Sequence, residues 1–303
     1  WAHYGTNPGT YTIFGKRVSP LATSDPQLDA YIQKAAALPY EEQKEILALL
    51  ERLEEATTRE KIAKSFLPFV KSMWPAFIEG PHHKIMADAF ERVAEGKLKR
   101  LVVNMPPRHT KSEFASYLLP AWFIGRDPSR KVIQTAHTAE LAVGFGRKVR
   151  NLVGREDFQA AFPGVKLRQD SKAAGRWNTN EEGEYFAIGV GGAVTGKGAD
   201  LLIIDDPHSE QDAKSPDPAV FDPVYEWYTS GPRQRLQPGG SIVVVMTRWH
   251  QRDLTGQLLK SSQQRDGSDE WEVIQLPAIL PSGNSLWPEY WSKEELERLK
   301  AEL

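Results

Sequence analysis

Two segments of this 303-residue chain carry side chains whose types and spacing suit phosphate chemistry. The first is PPRHTKS, residues 106–112, which follows the β-branched run RLVVNM and precedes a helical pattern from Lys111 to Ile124. A phosphate loop reads G-x-x-x-x-G-K-[ST] between a strand and a helix. Aligned on Lys111-Ser112, the two glycine positions hold Met105 and Thr110, so the glycine pattern fails while the order strand, turn, Lys-Ser, helix survives. That order supplies most of the chemistry, because N–H groups at a helix N-terminus and the helix dipole both favour an anion. Lys111 would reach the β- and γ-phosphates and the Ser112 hydroxyl would bind Mg²⁺. Pro106 and Pro107 stiffen the entry to the loop, and Arg108 adds a second cation for the γ-phosphate. The plainer alternative is that Lys111-Ser112 starts a solvated helix.

The second segment is LLIIDDP, residues 201–207, four apolar strand residues followed by two carboxylates. Asp205 at the strand end would hold Mg²⁺ through water, and Asp206 would orient or deprotonate an attacking water. A strand end capped by Asp-Asp-Pro is common on its own. Both segments in this order, with a strand and helix between them, point to a nucleotide phosphate site.

The elements that must position these residues are legible as alternating patterns. His82–Glu95 reads as a helix, Arg100–Met105 as a buried strand, Lys131–Ala136 (KVIQTA) as a strand and Thr138–Val153 as a helix. Tyr185–Val190 reads as a hairpin strand and Leu201–Asp205 as a core strand. Pro218–Arg235 reads as a helix, Ser241–Thr247 (SIVVVMT) as a strand, Arg252–Lys260 as a helix and Trp271–Leu276 as a strand. Continuous apolar strands alternating with helices predict an α/β fold, a doubly wound and mostly parallel sheet covered on both faces. Residues 1–38, rich in Gly, Pro, Ser and Thr, read as an arm. Ile46, Leu49, Leu50 and Leu53 mark one face of a helix over 40–62. The expected organisation is therefore an arm and amphipathic helix over 1–62, serving as a lid, a contact to a neighbour or a helix packed on its own domain. A nucleotide-hydrolysing domain follows over 63–278, then a linker and helix over 279–303 leading toward a further domain.

Composition narrows the function classes. There are no cysteines, so disulfides and thiolate zinc sites are excluded. The longest apolar run, Ile242 to Met246, is too short to span a membrane. A formal net charge of −2 gives no global basic field for nucleic acid, which leaves local patches or a ring of subunits with a few contacts each. The chain opens Trp1-Ala2-His3 without methionine or signal pattern, as a fragment of a longer product would.

The ordered set PPRHTKSEFAS, VTGKGADLLIIDDP, VVVMTRWHQRDLTG and LWPEYW resembles the ATPase half of the tailed-phage terminase large subunit, over roughly residues 65–303. The resemblance implies a phosphate-loop NTPase of the additional-strand, RecA-like branch, in which an extra strand separates the two motif strands, and the intervening KVIQTA is the strand expected there. It implies an ATP- and Mg²⁺-dependent motor for double-stranded DNA, working as a homo-oligomeric ring with the portal protein and the terminase small subunit. Such a motor works in the host cytoplasm, docked on the procapsid and absent from the mature virion. Pro107, Arg108, His109, Thr110, Lys111, Ser112 and Glu113 would then wrap the phosphates, with Ser112 and Asp205 at the metal. Asp206 stands where the family usually has a catalytic Glu. Being one methylene shorter, it requires a closer backbone, or else Glu210 or a water serves instead. Thr110 in place of Gly requires only that its side chain point away from phosphate.

By the same resemblance Thr247 is the coupling residue that senses the γ-phosphate, assisted by Arg248 and His250. A neighbour's site would receive a cation, for which Lys197 in GGAVTGKGAD is the first candidate and Arg147 another, with Arg108 acting in cis. Pro81-His82-His83 stands where this class often reads the base, so His83 is either an adenine contact or part of a helix cap. Arg168, Lys172, Arg176 and Trp177 are either DNA contacts on an exposed hairpin or a solvated loop. A nuclease domain belongs to the whole family protein. A helicase-like ATPase and a nucleotide-binding scaffold without turnover are the competing classes.

Overall fold

The computed structural model describes residues 11–13, 16–18, 38–264 and 267–302. Backbone contacts divide the chain into two units, residues 1–58 and 59–303. The first holds an antiparallel pair, β1 (Tyr11–Ile13) and β2 (Lys16–Val18), and most of helix α1 (Tyr40–Lys64). The rest of the arm expected over 1–38 lies outside the described residues. Leu49 and Leu53 of α1 are exposed.

The second unit is built on one eight-stranded sheet. In chain order its strands are β3 (Arg100–Asn104), β4 (Lys131–Ala136), β5 (Leu167–Ala173), β6 (Arg176–Thr179), β7 (Glu184–Gly189), β8 (Ala199–Asp205), β9 (Leu236–Met246) and β10 (Glu272–Gln275). Their spatial order is β10-β3-β9-β8-β4-β7-β6-β5. The six strands from β10 to β7 run parallel, and β6 and β5 are added antiparallel. Tyr185–Val190, expected only as a hairpin strand, pairs antiparallel with β6 and also parallel with β4.

Strand alternation divides the core between the two faces. Leu101, Val103, Leu201, Ile203, Val243 and Val245 pack under α2 (Phe66–Met73), α3 (Pro81–Ala94) and α4 (Leu119–Arg126), with α5 (Ala139–Val153) and α6 (Glu156–Ala161). Val102, Leu202, Ile204, Ile242 and Val244 pack on the opposite face against α8 (Asp222–Ser230) and α9 (Leu254–Gln264). A four-residue helix, α7 (Glu210–Ala213), follows β8, and α10 (Lys293–Glu302) ends the described chain. The helix expected over Pro218–Arg235 is broken into two 3₁₀ turns flanking α8, with prolines at the start of each piece. Segment α2 was not anticipated; its Phe66, Phe69 and Val70 are fully buried.

The strand that separates the two motif strands is β9 (SIVVVM), lying between β3 and β8. KVIQTA, which lies between them in sequence, sits beyond β8. The register brings the strand ends level: Asn104 pairs with Met246, Asp205 with Val245 and Ala136 with Asp205. The segments leaving β3, β8 and β9 therefore emerge side by side at one edge, the crevice where open α/β sheets hold ligands.

Candidate phosphate and metal site

The helix after β3 begins at Lys111. Its next turns, Glu113–Leu118, are a π-helix, with the Leu119 N–H bonded to the Phe114 carbonyl five residues back. Pro120 explains the wider turn, since it has no N–H to give the Ser116 carbonyl and its ring crowds that group. Ser112 and Ser116, four residues apart, both reach the Asp205 carboxylate. The Ser112 hydroxyl donates to Oδ1 at 2.9 Å and the Ser116 hydroxyl to Oδ2 at 2.7 Å. Gln134 of β4 donates in turn to Ser116 Oγ at 2.9 Å. Asp205 is buried, and that burial, reinforced by the neighbouring Asp206 charge, pushes its carboxyl up to about 7 against the pull of Ser116, Lys111 and Ser112. Ser116 and Gln134 were missed by the sequence reading; the four-residue spacing from Ser112 was the available signal for Ser116.

Asp206 follows with φ +37°, a left-handed turn that Asp tolerates better than most residues. The turn folds its carboxylate back over the edge of the sheet. Oδ2 lies 2.7 Å from Lys111 Nζ, and Oδ1 accepts the Thr247 N–H at 2.9 Å. Lys111 is itself buried, so its ammonium depends on this partner or on an anion that replaces it. Glu210, the alternative acid, is exposed on α7. The Thr247 hydroxyl donates to the Met105 carbonyl at 3.3 Å, so one residue touches both the phosphate-loop strand and the acid.

Beyond Thr247 the chain closes on Asp253, a fully buried carboxylate that the sequence reading passed over. It accepts from Arg248 Nε at 2.8 Å, from the Trp249 and His250 N–H groups at 3.0 and 3.2 Å, and from Gly256 N–H at 2.9 Å. Arg248 is thus committed to this turn. The His250 ring stacks on Phe221.

The loop itself takes an unusual path. Arg108 and Thr110 have φ of +62° and +64°. Thr110 stands where the pattern expects glycine, and a β-branched residue there is strained, by about 1–3 kcal/mol for such a non-glycine residue. Its hydroxyl turns to His83 Nε2 at 2.7 Å and the His109 carbonyl at 2.6 Å, so the substitution for Gly also asks for left-handed backbone, beyond the side-chain direction expected of it. His83 is fully buried, and its other nitrogen, Nδ1, accepts the Gly80 N–H at 2.7 Å. With both nitrogens engaged, His83 offers no free ring nitrogen for the adenine contact that was one of its two expected roles. The helix-cap alternative is the geometry observed, since Gly80 is the N-cap and His83 the third residue of α3.

Around this bond lies a layer of rings. His82, His83 and His109 meet Trp287, and Trp291 stacks on His109 with its indole N–H directed at the Arg108 carbonyl, 3.4 Å away. A Cβ on Gly80 would come within 2.5 Å of the Trp287 ring, which is why glycine occupies that cap. Burial holds His82 down to about 4 and His83 to about 3, and lowers His109, so the layer is uncharged near neutrality. The segment expected as a linker and helix over 279–303 rests on the phosphate loop through Trp287 and Trp291, with Leu286 and Trp287 buried.

The remaining candidates are scattered. The Arg108 guanidinium and Pro107 are exposed at the loop tip, and Glu113 is half-buried in the π-turn. Lys197 is held at 2.5 Å from Glu184 and 5.0 Å above the Phe186 ring; to serve a neighbour it must leave both. Arg147 is exposed on α5. On the β5–β6 hairpin, Arg168 pairs with Asp170 and Glu182 and Arg176 with Glu184, whereas Trp177 is fully buried and stacked on Tyr185, a core residue. Among the described residues no cluster of three or more His, Asp or Glu suits a metal, and no helix is long and apolar enough to cross a membrane.

No protein-family model and no curated protein matches the chain. Among solved structures it is similar to a variant of the large terminase ATPase domain of Thermus phage P74-26, with TM-score 0.48 and 14% identity, covering 78% of this chain and 92% of that one. It is similar to the HK97 bacteriophage large terminase, with TM-score 0.44 and 14% identity over 69% of this chain. A third likeness is to the large terminase of a thermophilic bacteriophage in complex with ADP, with TM-score 0.39 and 8% identity over 70% of this chain. The chain spans 41% of the HK97 protein and 48% of the ADP-bound one.

Proposed function

We propose that this chain is the ATP-hydrolysing motor domain of a tailed-phage terminase large subunit, which drives double-stranded DNA into a procapsid. One observation carries the reading. Lys111 and Ser112 of a strand–loop–helix unit meet Asp206 and Asp205 at the end of β8, and β9 between the two motif strands brings Thr247 against both. A lysine, a hydroxyl and two carboxylates in this arrangement are what phosphoryl transfer from a nucleotide requires.

The donor set fits Mg²⁺: Ser112 Oγ and Asp205 Oδ1, 2.9 Å apart, are hard oxygens that a small divalent cation accepts, with waters and phosphate oxygens completing its shell. Bound there, Mg²⁺ would neutralise charge on the phosphates, and it would favour the ionised form of the Asp205 carboxyl. Lys111 is the cation for the β- and γ-phosphates. A γ-phosphate oxygen competes with Asp206 for its ammonium, and that competition frees the Asp206 carboxylate to orient a water. Thr247, bonded through its N–H to Asp206, feels this exchange directly and is placed to pass it to β9 and the turn closed by Asp253. Pro107, Arg108, His109 and Glu113 line the loop, with Arg108 the cation available in cis. Lys197 and Arg147 are the candidates for a neighbour's site in a homo-oligomeric ring. Portal protein, terminase small subunit and duplex DNA are the partners of such a motor, which would work in the host cytoplasm on the procapsid.

Lys111→Ala tests the reading. It should cut ATP hydrolysis by about 10²–10³-fold or more, as loss of a preorganised charge at the reacting group does. It should also weaken nucleotide binding in a direct titration. Wild-type turnover in this variant would remove the phosphate site from consideration.

A further inference from the structure

We propose that the buried imidazole of His83 is a positioning residue, which holds Thr110 in the left-handed conformation that glycine ordinarily supplies in a phosphate loop. The inference rests on the phosphate-site reading above and adds a residue from outside the loop to it.

The direction of each bond follows from chemistry. A backbone N–H can only donate, so the Gly80 N–H at 2.7 Å makes His83 Nδ1 an acceptor. The neutral ring then carries its proton on Nε2, 2.7 Å from Thr110 Oγ1. With that bond received, the threonine hydroxyl gives its own proton to the His109 carbonyl at 2.6 Å. The relay runs from the N-cap of α3 through one ring to the loop residue just before Lys111. It pins the Thr110 side chain from outside and ties the preceding carbonyl to the same hydroxyl, at a residue whose φ is +64°.

The ring itself cannot drift. Phe77 and Phe114 lie 4.7 Å from it and Trp287 5.0 Å, centroid to centroid. Any neutral ring that accepts at one end and donates at the other would serve; a charged one would not, because the N–H of Gly80 would then face a second donor. A threonine without this partner would relax toward negative φ, swinging the peptide N–H groups before Lys111 away from the phosphate position.

A double-mutant cycle on the whole chain decides it, reading Mg²⁺-ATP affinity by titration with a fluorescent ATP analogue. His83→Ala should weaken binding about tenfold, the loss expected from one buried hydrogen bond and its unsatisfied partner. Whatever Thr110→Gly does alone, adding His83→Ala to it should cost nothing further, since glycine needs no anchor at positive φ. His83→Gln, whose amide can both accept and donate, should recover part of the affinity. A His83→Ala penalty of equal size in the threonine and glycine backgrounds overturns the proposal, because a purely structural role would act in both. Should His83→Ala fail to fold, Thr110→Val carries the same test with His83 intact. It must bind more weakly than wild type, whose threonine carries the same branched side chain with the bond to His83 intact, and equal or tighter binding overturns the proposal. Lys111→Ala runs alongside; if it binds as wild type does, the phosphate site falls and the proposal falls with it.

Discussion

Asp205 and Asp206 are adjacent in sequence and opposite in circumstance. Asp205 is buried, takes two serine hydroxyls and is pushed up toward neutrality; Asp206 is partly exposed and shares its carboxylate between Lys111 and the Thr247 N–H. Different environments imply different losses on mutation. Asp205→Asn should abolish the Mg²⁺ dependence of ATP hydrolysis, leaving slow turnover insensitive to added metal. Asp206→Asn should keep Mg²⁺-ATP bound but unhydrolysed, with turnover down by about 10²–10⁴-fold, the usual share of a positioned acid–base group. Single-turnover kinetics alongside nucleotide titration separates the two. Normal hydrolysis by Asp206→Asn, together with its loss in Glu210→Gln, would move the water-activating role to α7.

The segment between β9 and α9 shows how an element is fixed by one residue. Asp253 gathers three backbone N–H groups and the Arg248 guanidinium and immediately precedes the first residue of α9. Gly256 follows because a Cβ there would lie 1.9 Å from the Gln251 carbonyl. Truncating Asp253 to Ala strands these donors. The expected loss is about 2–3 kcal/mol, below the ~3–5 kcal/mol of a fully buried pair because Arg248 keeps solvent access. A urea midpoint shifted by less than that of an exposed-site control such as Glu294→Ala would show that the turn holds without its carboxylate.

For the molecule as a whole, the uncharged histidines make stability depend on acid. Burial depresses His82 and His208 to about 4 and His83 to about 3, so unfolding releases three imidazoles that protonate near 6.5. A depressed base is fully stabilising above its unfolded value and loses that contribution as pH falls toward its folded one. Asp205, raised to about 7, works in the opposite sense, since its folded form keeps a proton that the unfolded chain releases. Three histidines against one carboxyl leave the unfolded chain holding about two more protons near pH 5, an excess that shrinks to about one as pH rises to 6.5 and the unfolded imidazoles deprotonate. Nucleotide-free stability should then fall by about 1 kcal/mol per pH unit near pH 6.5, steepening to about 2–2.5 kcal/mol per pH unit near pH 5. His82 lies in the same buried layer of rings, and His82→Leu, which keeps an apolar side chain there, should make the slope shallower by up to about one proton. Denaturant melts at three pH values measure this, and an unchanged slope in His82→Leu would mean the imidazole titrates freely in the folded chain.

The sequence by itself determined the alternation of apolar strands with helices, and with it a two-faced parallel sheet. Lys111-Ser112 and Asp205-Asp206 were legible because a strand end followed by these side chains is a local pattern. The failed glycines at Met105 and Thr110 were equally visible. Periodicity could not rank the strands across the sheet, since each pairs with partners far along the chain. Only the tertiary structure inserted β9 between the motif strands, so that Thr247 reaches both Met105 and Asp206. Only it buried Trp177 and sent His83 beneath the loop. The strain of a threonine at positive φ and the ring that answers it come from segments 27 residues apart. A side chain's partner at that separation is set by packing, which no local pattern encodes.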